Sequence, residues 1–262
     1  MAAAGPVTAR IEIDGAAATV NQLRALLLAS YGHFTAMQVR NRSVQGLDLH
    51  FARLDAANRE LFATGLDTAQ VRAHIRHALG DGTSDASVRV YVQETPGGTS
   101  VMVTVRPPGG MPGGPWRLRS VPYQRSLAHI KHIGDFGQGY YQRLAHRSGY
   151  GEALLTGPDG IISEGAITNI GFFDGTGIVW PAAPALAGIT MQLLDRGLAG
   201  HGLASRRAQV RHSDLGSFAA AFVTNARGIA AVGQIDDLAL PADPALMSTL
   251  ARIHGSAPWT VL

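Results

Sequence analysis

Ala-His-Ile-Lys-His-Ile-Gly (128–134), Glu-Gly-Ala-Ile-Thr-Asn-Ile (164–170) and Ala-Gly-Ile-Thr (187–190) are the sequences around which this chain is organised. The first carries a lysine, the second begins with a glutamate, and the third leads into apolar residues at helical spacing. Together they supply an amine, a carboxylate and a helix start that can bind an anion.

Lys131 is the only lysine among the 22 lysine and arginine residues of the chain, and its neighbours Leu127, Ala128, Ile130 and Ile133 are apolar. Arginine cannot be deprotonated to a nucleophile, whereas a partly desolvated lysine can, and it can form a Schiff base. The alternative is that arginine-rich usage reflects a high genomic G+C content and left one lysine by chance.

Glu164 stands between a hairpin and a strand in the predicted order of elements. A carboxylate beside a pyridine nitrogen keeps that nitrogen protonated, which lets the ring accept electrons. The alternative for Glu164 is a solvated residue at a strand end. Asn169 can fix a neighbouring group by hydrogen bonds, or it is an amide on an edge strand.

Gly188, Ile189 and Thr190 open a predicted helix, where free N–H groups and the helix dipole favour a phosphate. Arg53 lies in a helix with an apolar face and is suited to bidentate phosphate contact. An unliganded helix start and a salt-bridging arginine are the alternatives. The amine, the carboxylate and the phosphate-binding groups are the set that holds pyridoxal phosphate.

The composition argues against several other classes of function. Hydrophobic residues make up 46% of the 262 residues and charged residues 16%, which gives a sizeable core. Zero cysteines exclude disulfides and thiolate catalysis. The charge of +3 comes from scattered arginines, so we expect no nucleic-acid partner. No histidine pattern predicts a metal site, and no apolar run or signal sequence predicts membrane association, so we expect a cytoplasmic protein.

The segment Pro-Pro-Gly-Gly-Met-Pro-Gly-Gly-Pro (107–115) is the sharpest change of composition, and it favours a linker over a hairpin loop. It predicts a small N-terminal α/β domain (1–107), a linker (108–115) and a larger C-terminal domain (116–262). Strands dominate the second half with few βα alternations, so the fold class is α+β. The predicted strands include 7–13, 167–173 and 208–211.

These sequences resemble the class IV aminotransferase family, the fold-type IV pyridoxal-phosphate enzymes. The resemblance extends from about Phe34 to Gln234 and includes the following motifs besides the three quoted above: Phe-Thr-Ala-Met-Gln-Val (34–39), His-x-x-Arg-Leu (50–54), Gly-Tyr-Gly-Glu-Ala-Leu-Leu (149–155) and Val-Thr-Asn-Ala (223–226).

The resemblance implies a role for each matching residue. Lys131 would form the internal aldimine with pyridoxal 5′-phosphate, Glu164 would pair with the pyridinium, and Asn169 would support the ring. Phosphate would bind to Arg53, to the amides of Ile189 and Thr190, and to the hydroxyl of Thr224. The family also implies a homodimer whose partner loops complete each site.

The substrate side is less specific. Phe34 replaces the substrate-facing tyrosine of D-amino-acid enzymes, and Phe136 replaces a tyrosine that contacts the cofactor in branched-chain enzymes. Arg89 and Arg40 are candidates for binding a carboxylate, and structural arginines are the alternative. Asn225 and Ala226 complete the predicted substrate residues.

Three functions remain open. The leading hypothesis is transamination between an amino acid or amine and a keto acid. The second is a lyase similar to aminodeoxychorismate lyase that releases pyruvate, favoured by Lys131-His132, Gln138 and Asn225-Ala226. The third is a binding protein of the same fold without catalysis.

Overall fold

The computed structural model of the chain describes residues 9–95 and 98–262, and these residues form two compact units. The N-terminal unit comprises the described residues up to Gly109 together with Ile130–Gly134 and Pro258–Leu262. The C-terminal unit comprises Gly110–His129 and Asp135–Ala257. The predicted domains differ from these units because the lysine segment and the last five residues belong to the N-terminal unit.

The N-terminal unit contains three helices and seven strands in its described part. The strands are β1 (Arg10–Ile13), β2 (Ala16–Ala17), β3 (Gly32–Val39), β4 (Ser43–Gln45), β5 (Ala86–Thr95), β6 (Gly98–Arg106) and the C-terminal strand Trp259–Val261, and the helices are α1 (Val20–Ala29), α2 (Leu47–Phe62) and α3 (Thr68–Leu79). Thr19 caps α1 and Asp67 caps α3, as expected of short side chains that accept a hydrogen bond from the first helical turn.

Five of these strands form one sheet in the order β2-β1-β6-β5-β3. Alternate residues of β3 and β5 are buried, including Met37, Val39, Val88 and Val90, and they pack with apolar residues of α2 and α3 in one core. The lysine segment lies along the free edge of β3, where the Phe34 N–H donates to the Lys131 carbonyl at 2.8 Å and the Ile133 N–H donates to the Gly32 carbonyl at 3.0 Å.

The C-terminal unit contains the following elements: β7 (Trp116–Pro122), α4 (Phe136–Arg147), β8 (Glu152–Thr156), β9 (Ile162–Gly165), β10 (Asn169–Phe173), β11 (Gly177–Pro181), α5 (Ile189–Leu198), β12 (Ala204–Ala208), β13 (Ala220–Asn225), β14 (Gly228–Ile235), β15 (Leu238–Ala239) and α6 (Pro244–Ser256). Its strands form a sheet in the order β12-β11-β10-β13-β14-β7-β8-β9, and β15 pairs with β14. Large buried side chains such as Trp180, Phe172 and Phe222 fill the cores beside this sheet.

The structure corrects two of the predicted strands. The strand predicted at 208–211 lies instead at 204–208, where its exposed polar side chains hid it because β12 is an edge strand. The strand predicted at 167–173 begins only at Asn169, because Ile167 and Thr168 belong to a turn held by Glu152. The strand predicted at 7–13 is described from Arg10, and its residues 7 and 8 lie outside the described residues.

The C-terminal strand, β16 (Trp259–Val261), was not predicted, and it pairs with β4 in an antiparallel ladder. Trp259 and Val261 are both exposed, so the strand lacks the apolar alternation that marks a half-buried strand in a sequence. Within the described ranges, no helix combines the length and the apolar character required to cross a membrane.

Candidate active site

Glu164 is a buried carboxylate whose two oxygens are both held in the C-terminal unit. It lies in β9 with 4% of its surface exposed, so it is not a solvated strand end. Arg125 Nη1 donates to its Oε1 at 3.0 Å, and the Leu186 N–H donates to its Oε2 at 3.1 Å. A carboxylate fixed in this way presents its negative charge in one defined direction.

Arg125 is the partner that sequence reasoning missed. Its side chain is buried; besides Glu164, it donates to the Ala128 carbonyl at 2.8 Å and, through Nε, to Gln138 Oε1 at 3.0 Å. Gln138 in turn donates to the Ala166 carbonyl at 2.6 Å. Because arginine is the usual cation of this chain, residue type alone did not distinguish Arg125 from the 20 other arginines.

Asn169 is the first residue of β10, and it connects that strand to the start of α5. Its Nδ2 donates to the Leu186 carbonyl at 2.7 Å. Gly188, the N-cap of α5, lies so close that an added Cβ would be 1.9 Å from Asn169 Oδ1. Asn169 and Gly188 therefore fix the segment that carries the Leu186 N–H to Glu164. β10 is an interior strand of the sheet, so the alternative of an edge-strand amide is wrong.

The start of α5 and the end of β13 form a set of donors typical of a phosphate site. The first N–H groups of a helix, here those of Ile189 and Thr190, have no partner within the helix. Thr190 donates its hydroxyl to the Asn225 carbonyl at 2.8 Å, which joins α5 to the end of β13. Thr224 lies directly opposite Asn169 in the β10–β13 ladder, so their side chains share one face of the sheet.

The Thr224 hydroxyl is fully buried and has no hydrogen-bond partner in the described part of the chain. A buried polar atom without a partner is costly and rare, so this hydroxyl indicates a ligand that completes its bonding. Because the hydroxyl lies beside the start of α5, whose N–H groups favour negative charge, an anion is the ligand that suits it. These residues therefore fit the phosphate of pyridoxal phosphate, and Glu164 fits its ring nitrogen.

Lys131 lies in the N-terminal unit above an aromatic side chain. Its Nζ is 4.8 Å from the centroid of the Phe34 ring, within the range of a cation–π interaction. Phe34 stacks on Tyr91 with ring centroids 5.1 Å apart, and Arg89 donates to the Tyr91 hydroxyl at 3.2 Å. β3 and β5 are neighbouring strands, so one sheet face carries Phe34, Tyr91 and Arg89 beside the amine.

Arg53 lies in α2 of the same unit, and burial lowers the pKa of its guanidinium to about 10. It therefore remains a cation at neutral pH. Burial, with a smaller contribution from the charge of Arg53, lowers the pKa of His50 to about 3. His50 is consequently neutral, and its Nδ1 lies 2.6 Å from Thr35 Oγ1, an interaction that ties α2 to β3.

Arg40 has a structural role that makes it a poor carboxylate ligand. Its guanidinium donates to the carbonyls of Val39 and Gly109 at 2.8 Å and 3.1 Å.

The other predicted residues fall into two groups. The N-terminal unit contains Lys131, Arg53, Phe34 and Arg89. The C-terminal unit contains Glu164, Asn169, Ile189, Thr190, Thr224, Asn225 and Ala226. Across the described residues, no group of three or more histidine, aspartate or glutamate residues could hold a metal ion.

Comparisons with known proteins identify the family. The family model for amino-transferase class IV matches residues 32–235. No curated protein matches the chain in sequence.

Solved structures are similar in fold. A hypothetical aminotransferase from Mycobacterium tuberculosis in its PLP-bound form has a TM-score of 0.77 at 18% identity, covering 88% of this chain and 90% of that one. A branched-chain aminotransferase from the thermophilic archaeon Thermoproteus uzoniensis with norvaline has a TM-score of 0.82 at 18% identity, covering 94% and 93%. A putative 4-amino-4-deoxychorismate lyase from Legionella pneumophila has a TM-score of 0.78 at 17% identity, covering 89% and 93%.

The structural likenesses, all at low identity, establish the fold, and the family model covers more than three quarters of the sequence. The chain therefore belongs to the class IV aminotransferase family, whose enzymes depend on pyridoxal phosphate.

Proposed function

We propose that this enzyme catalyses transamination between an amino acid or amine and a keto acid, with Lys131 as its catalytic residue. The observation that carries the proposal lies in the C-terminal unit, where Arg125 fixes Glu164 and the Thr224 hydroxyl, which has no partner among the described residues, lies at the end of the strand joined to α5. When bound, pyridoxal phosphate supplies an aldehyde for the amine and a ring that accepts electrons from the substrate.

The predicted cofactor residues would each have a distinct role. The amides of Ile189 and Thr190 and the Thr224 hydroxyl would donate to its phosphate, and Arg53 would add a cation because it stays charged at neutral pH. Glu164 would keep the ring nitrogen protonated, since its negative charge favours the charged form of a neighbouring base. Asn169 would support the ring side by fixing the α5 start.

Lys131 would first bind the cofactor through Nζ and then move a proton. The Phe34 ring beside Nζ orients the amine, and the hydrogen bonds of the lysine segment to β3 fix its backbone. The same Nζ would also remove the proton from the substrate Cα. Arg89 would bind a substrate carboxylate, while Phe34, Asn225 and Ala226 would line the substrate side.

The lyase alternative loses one of the features that favoured it. Gln138 uses both ends of its amide within the C-terminal unit, where its oxygen accepts from Arg125 and its nitrogen donates to Ala166. It therefore supports Glu164 through Arg125, and this role accounts for the residue without a substrate contact. The buried Arg125–Glu164 pair also argues against a non-catalytic binding protein, which has no need of a fixed carboxylate at a cofactor ring.

A half-reaction screen tests the proposal. Purified enzyme loaded with pyridoxal phosphate is mixed with L-amino acids, D-amino acids and simple chiral amines, and the visible absorbance of the lysine-bound cofactor is followed. We expect bleaching by at least one donor and recovery on addition of a keto acid. Release of pyruvate without any keto acid would favour the lyase, and absence of visible absorbance after loading would contradict both.

The homodimer, the cytoplasmic location and the two-domain boundaries stay predictions. The expected homodimer is checked by light scattering, which should give twice the mass of the 27.5 kDa chain.

A further inference from the structure

Glu152 is a second buried carboxyl group in the C-terminal unit, and none of the roles above uses it. It is the first residue of β8, and its side chain is fully buried. Its Oε1 accepts from the Ile167 N–H at 2.6 Å, and its Oε2 accepts from the Thr168 hydroxyl at 3.0 Å. One carboxyl group therefore holds two consecutive residues of the turn between β9 and β10.

This turn carries Glu164 at its beginning and Asn169 at its end. The Gly165 N–H closes it on the Thr168 carbonyl at 2.9 Å, and the Ala166 N–H donates to the Ala153 carbonyl at 2.9 Å. The Ala166 carbonyl accepts from Gln138, which also accepts from Arg125. The turn held by Glu152 is thus joined by hydrogen bonds to the Arg125–Glu164 pair.

Gly165 shows how closely the turn surrounds this carboxyl group. A Cβ built on Gly165 would lie 2.7 Å from Glu152 Oε1 and 2.3 Å from Thr168 Oγ1. Only a glycine leaves room for both atoms, so the turn and the carboxyl group are packed without space between them. A longer side chain at position 152 would have to move the turn, and a shorter one would not reach both of its partners.

The surroundings of Glu152 favour the protonated, neutral form of its carboxyl group. Burial raises the pKa of its carboxyl group to about 7, and the negative charge of Glu164 adds to this, against the opposing hydrogen bonds from Ile167 and Thr168. The titratable groups on the elements packed against β8 are Arg117 and Arg119 on β7, which lie over the Tyr150 ring, and Glu164 on β9, which pairs with Arg125. Helix α4 adds Tyr140, Tyr141, Arg143, His146 and Arg147.

We propose that Glu152 is a positioning residue for the reaction, whose carboxyl group holds the Glu164–Asn169 turn and whose charge state sets the electrostatic field at Glu164. The inference rests on the proposed function for its catalytic consequence, while the holding of the turn is a property of the protein without cofactor. An ionised Glu152 would raise the proton affinity of the cofactor nitrogen beside Glu164, because negative charge stabilises a nearby cation.

The first arm of the test uses protein without cofactor. Hydrogen exchange of the amides of residues 165–169 is compared in the wild type, in Glu152→Asp, which keeps the charge but is one methylene shorter, and in Glu12→Gln. Glu12 is a matched control, since it is a buried glutamate of the N-terminal unit paired with Arg10 and His77. We expect exchange about tenfold faster in Glu152→Asp alone, because the shortened carboxylate cannot reach both residues.

The second arm uses the loaded enzyme. Glu152→Gln keeps one acceptor oxygen for Ile167 but cannot ionise. We expect the half-reaction rates of wild type and Glu152→Gln to agree below about pH 6 and to separate by roughly two- to tenfold above about pH 8. Glu12→Gln should follow the wild-type profile throughout.

The two arms fail separately. If the wild type binds no pyridoxal phosphate, the proposed function fails, and the exchange experiment still decides whether Glu152 holds the turn. Unchanged exchange in Glu152→Asp would overturn the positioning role. A constant ratio of wild-type to Glu152→Gln rates across the pH range would overturn the role of its charge, because a purely structural effect is not expected to depend on pH in this window.

Discussion

The predicted site residues fall into two halves, one in each unit, and the two are built in different ways. In the C-terminal unit, Glu164 is buried, both its oxygens accept hydrogen bonds, and its partner Arg125 is fixed in turn by two further acceptors. In the N-terminal unit, Phe34 and Tyr91 are stacked on a sheet face, and Arg89 beside them is exposed. The C-terminal half is a closed hydrogen-bond network, whereas this part of the N-terminal half is an aromatic stack with a cation at its border.

This difference corresponds to what each half would bind. A cofactor has one shape, so a rigid network of buried polar groups can be matched to it. Substrates vary, and long side chains on an open sheet face can change position or identity without unfolding a core. The comparison predicts that substitutions in the Arg125–Glu164 network affect stability and cofactor together, while those in the Phe34–Tyr91–Arg89 stack affect substrate choice.

The largest effect is expected from Arg125→Leu. It leaves Glu164 buried without its cation, and breaking a buried pair costs about 3–5 kcal/mol of unfolding free energy. Chemical denaturation measures this cost. Arg206→Ala is the control, because its pair with Asp174 at 3.1 Å is on the surface and contributes less than about 1 kcal/mol. Equal losses in the two variants would contradict the network.

The second effect is an opposite response of the two units to pH. Burial lowers the pKa of His33 to about 4 and of His50 to about 3 in the N-terminal unit, so the unfolded chain binds more protons as the pH falls below 6.5. That unit should lose stability on acidification from pH 6.5 towards about 3. Glu152 has a raised pKa, so its contribution to the C-terminal unit is present below pH 4.5 and is lost as the pH rises through about 7.

Each of these groups is expected to contribute on the order of 3 kcal/mol. Hydrogen exchange of peptides from each unit, measured across pH after correction for intrinsic rates, separates the two trends. Glu152→Gln should abolish the loss in the C-terminal unit between pH 4.5 and about 7 and leave the N-terminal unit unaffected. Parallel pH dependence in both units would show that buried titration does not govern them in the predicted way.

A smaller effect is expected from Arg89→Gln, and it concerns substrates only. Losing a charge-assisted contact worth about 1.5–3 kcal/mol should raise KM for donors with a carboxylate by roughly ten- to a hundredfold. Simple amines should be affected much less. Arg106→Gln serves as the control, since Arg106 is an exposed arginine of the same sheet. A uniform change in KM for both donor types would remove Arg89 from carboxylate recognition.

The smallest effect is expected from Thr224→Val. Its hydroxyl has no partner among the described residues, so its loss should leave the stability of the cofactor-free protein unchanged or raise it. Cofactor affinity should fall about fivefold, which corresponds to one hydrogen bond of about 1 kcal/mol. Thr156→Val, which removes a hydroxyl bonded to the Val121 carbonyl at 3.1 Å, should instead lower stability and spare affinity. The reverse pattern would contradict a phosphate contact at Thr224.

The sequence was informative where chemistry depends on residue type. A single lysine, a glutamate in a recognisable motif and a Gly-Ile-Thr helix start predicted pyridoxal phosphate as the cofactor. Arg125 and the role of Glu152 could not be predicted in this way. Their importance arises from burial and from partners distant in sequence, Glu164 for the first and Ile167 for the second.

Strands without apolar alternation were also hidden from the sequence. β12 has exposed arginines, and β16 pairs with β4 through its backbone while its side chains remain exposed. The sequence also did not predict that the lysine segment belongs to the N-terminal unit. That placement depends on backbone hydrogen bonds to β3, which residue types do not reveal.

Reductive trapping of the cofactor tests the central claim most directly. The enzyme is loaded with pyridoxal phosphate, reduced with borohydride, digested and analysed by mass spectrometry, with Lys131→Arg as the control that keeps the positive charge. Because Lys131 is the only lysine, no other side-chain amine can compete. The account predicts one reduced adduct, on the peptide that contains Lys131, and none in Lys131→Arg. An adduct confined to the N-terminal amine, or equal labelling of the variant, would contradict it.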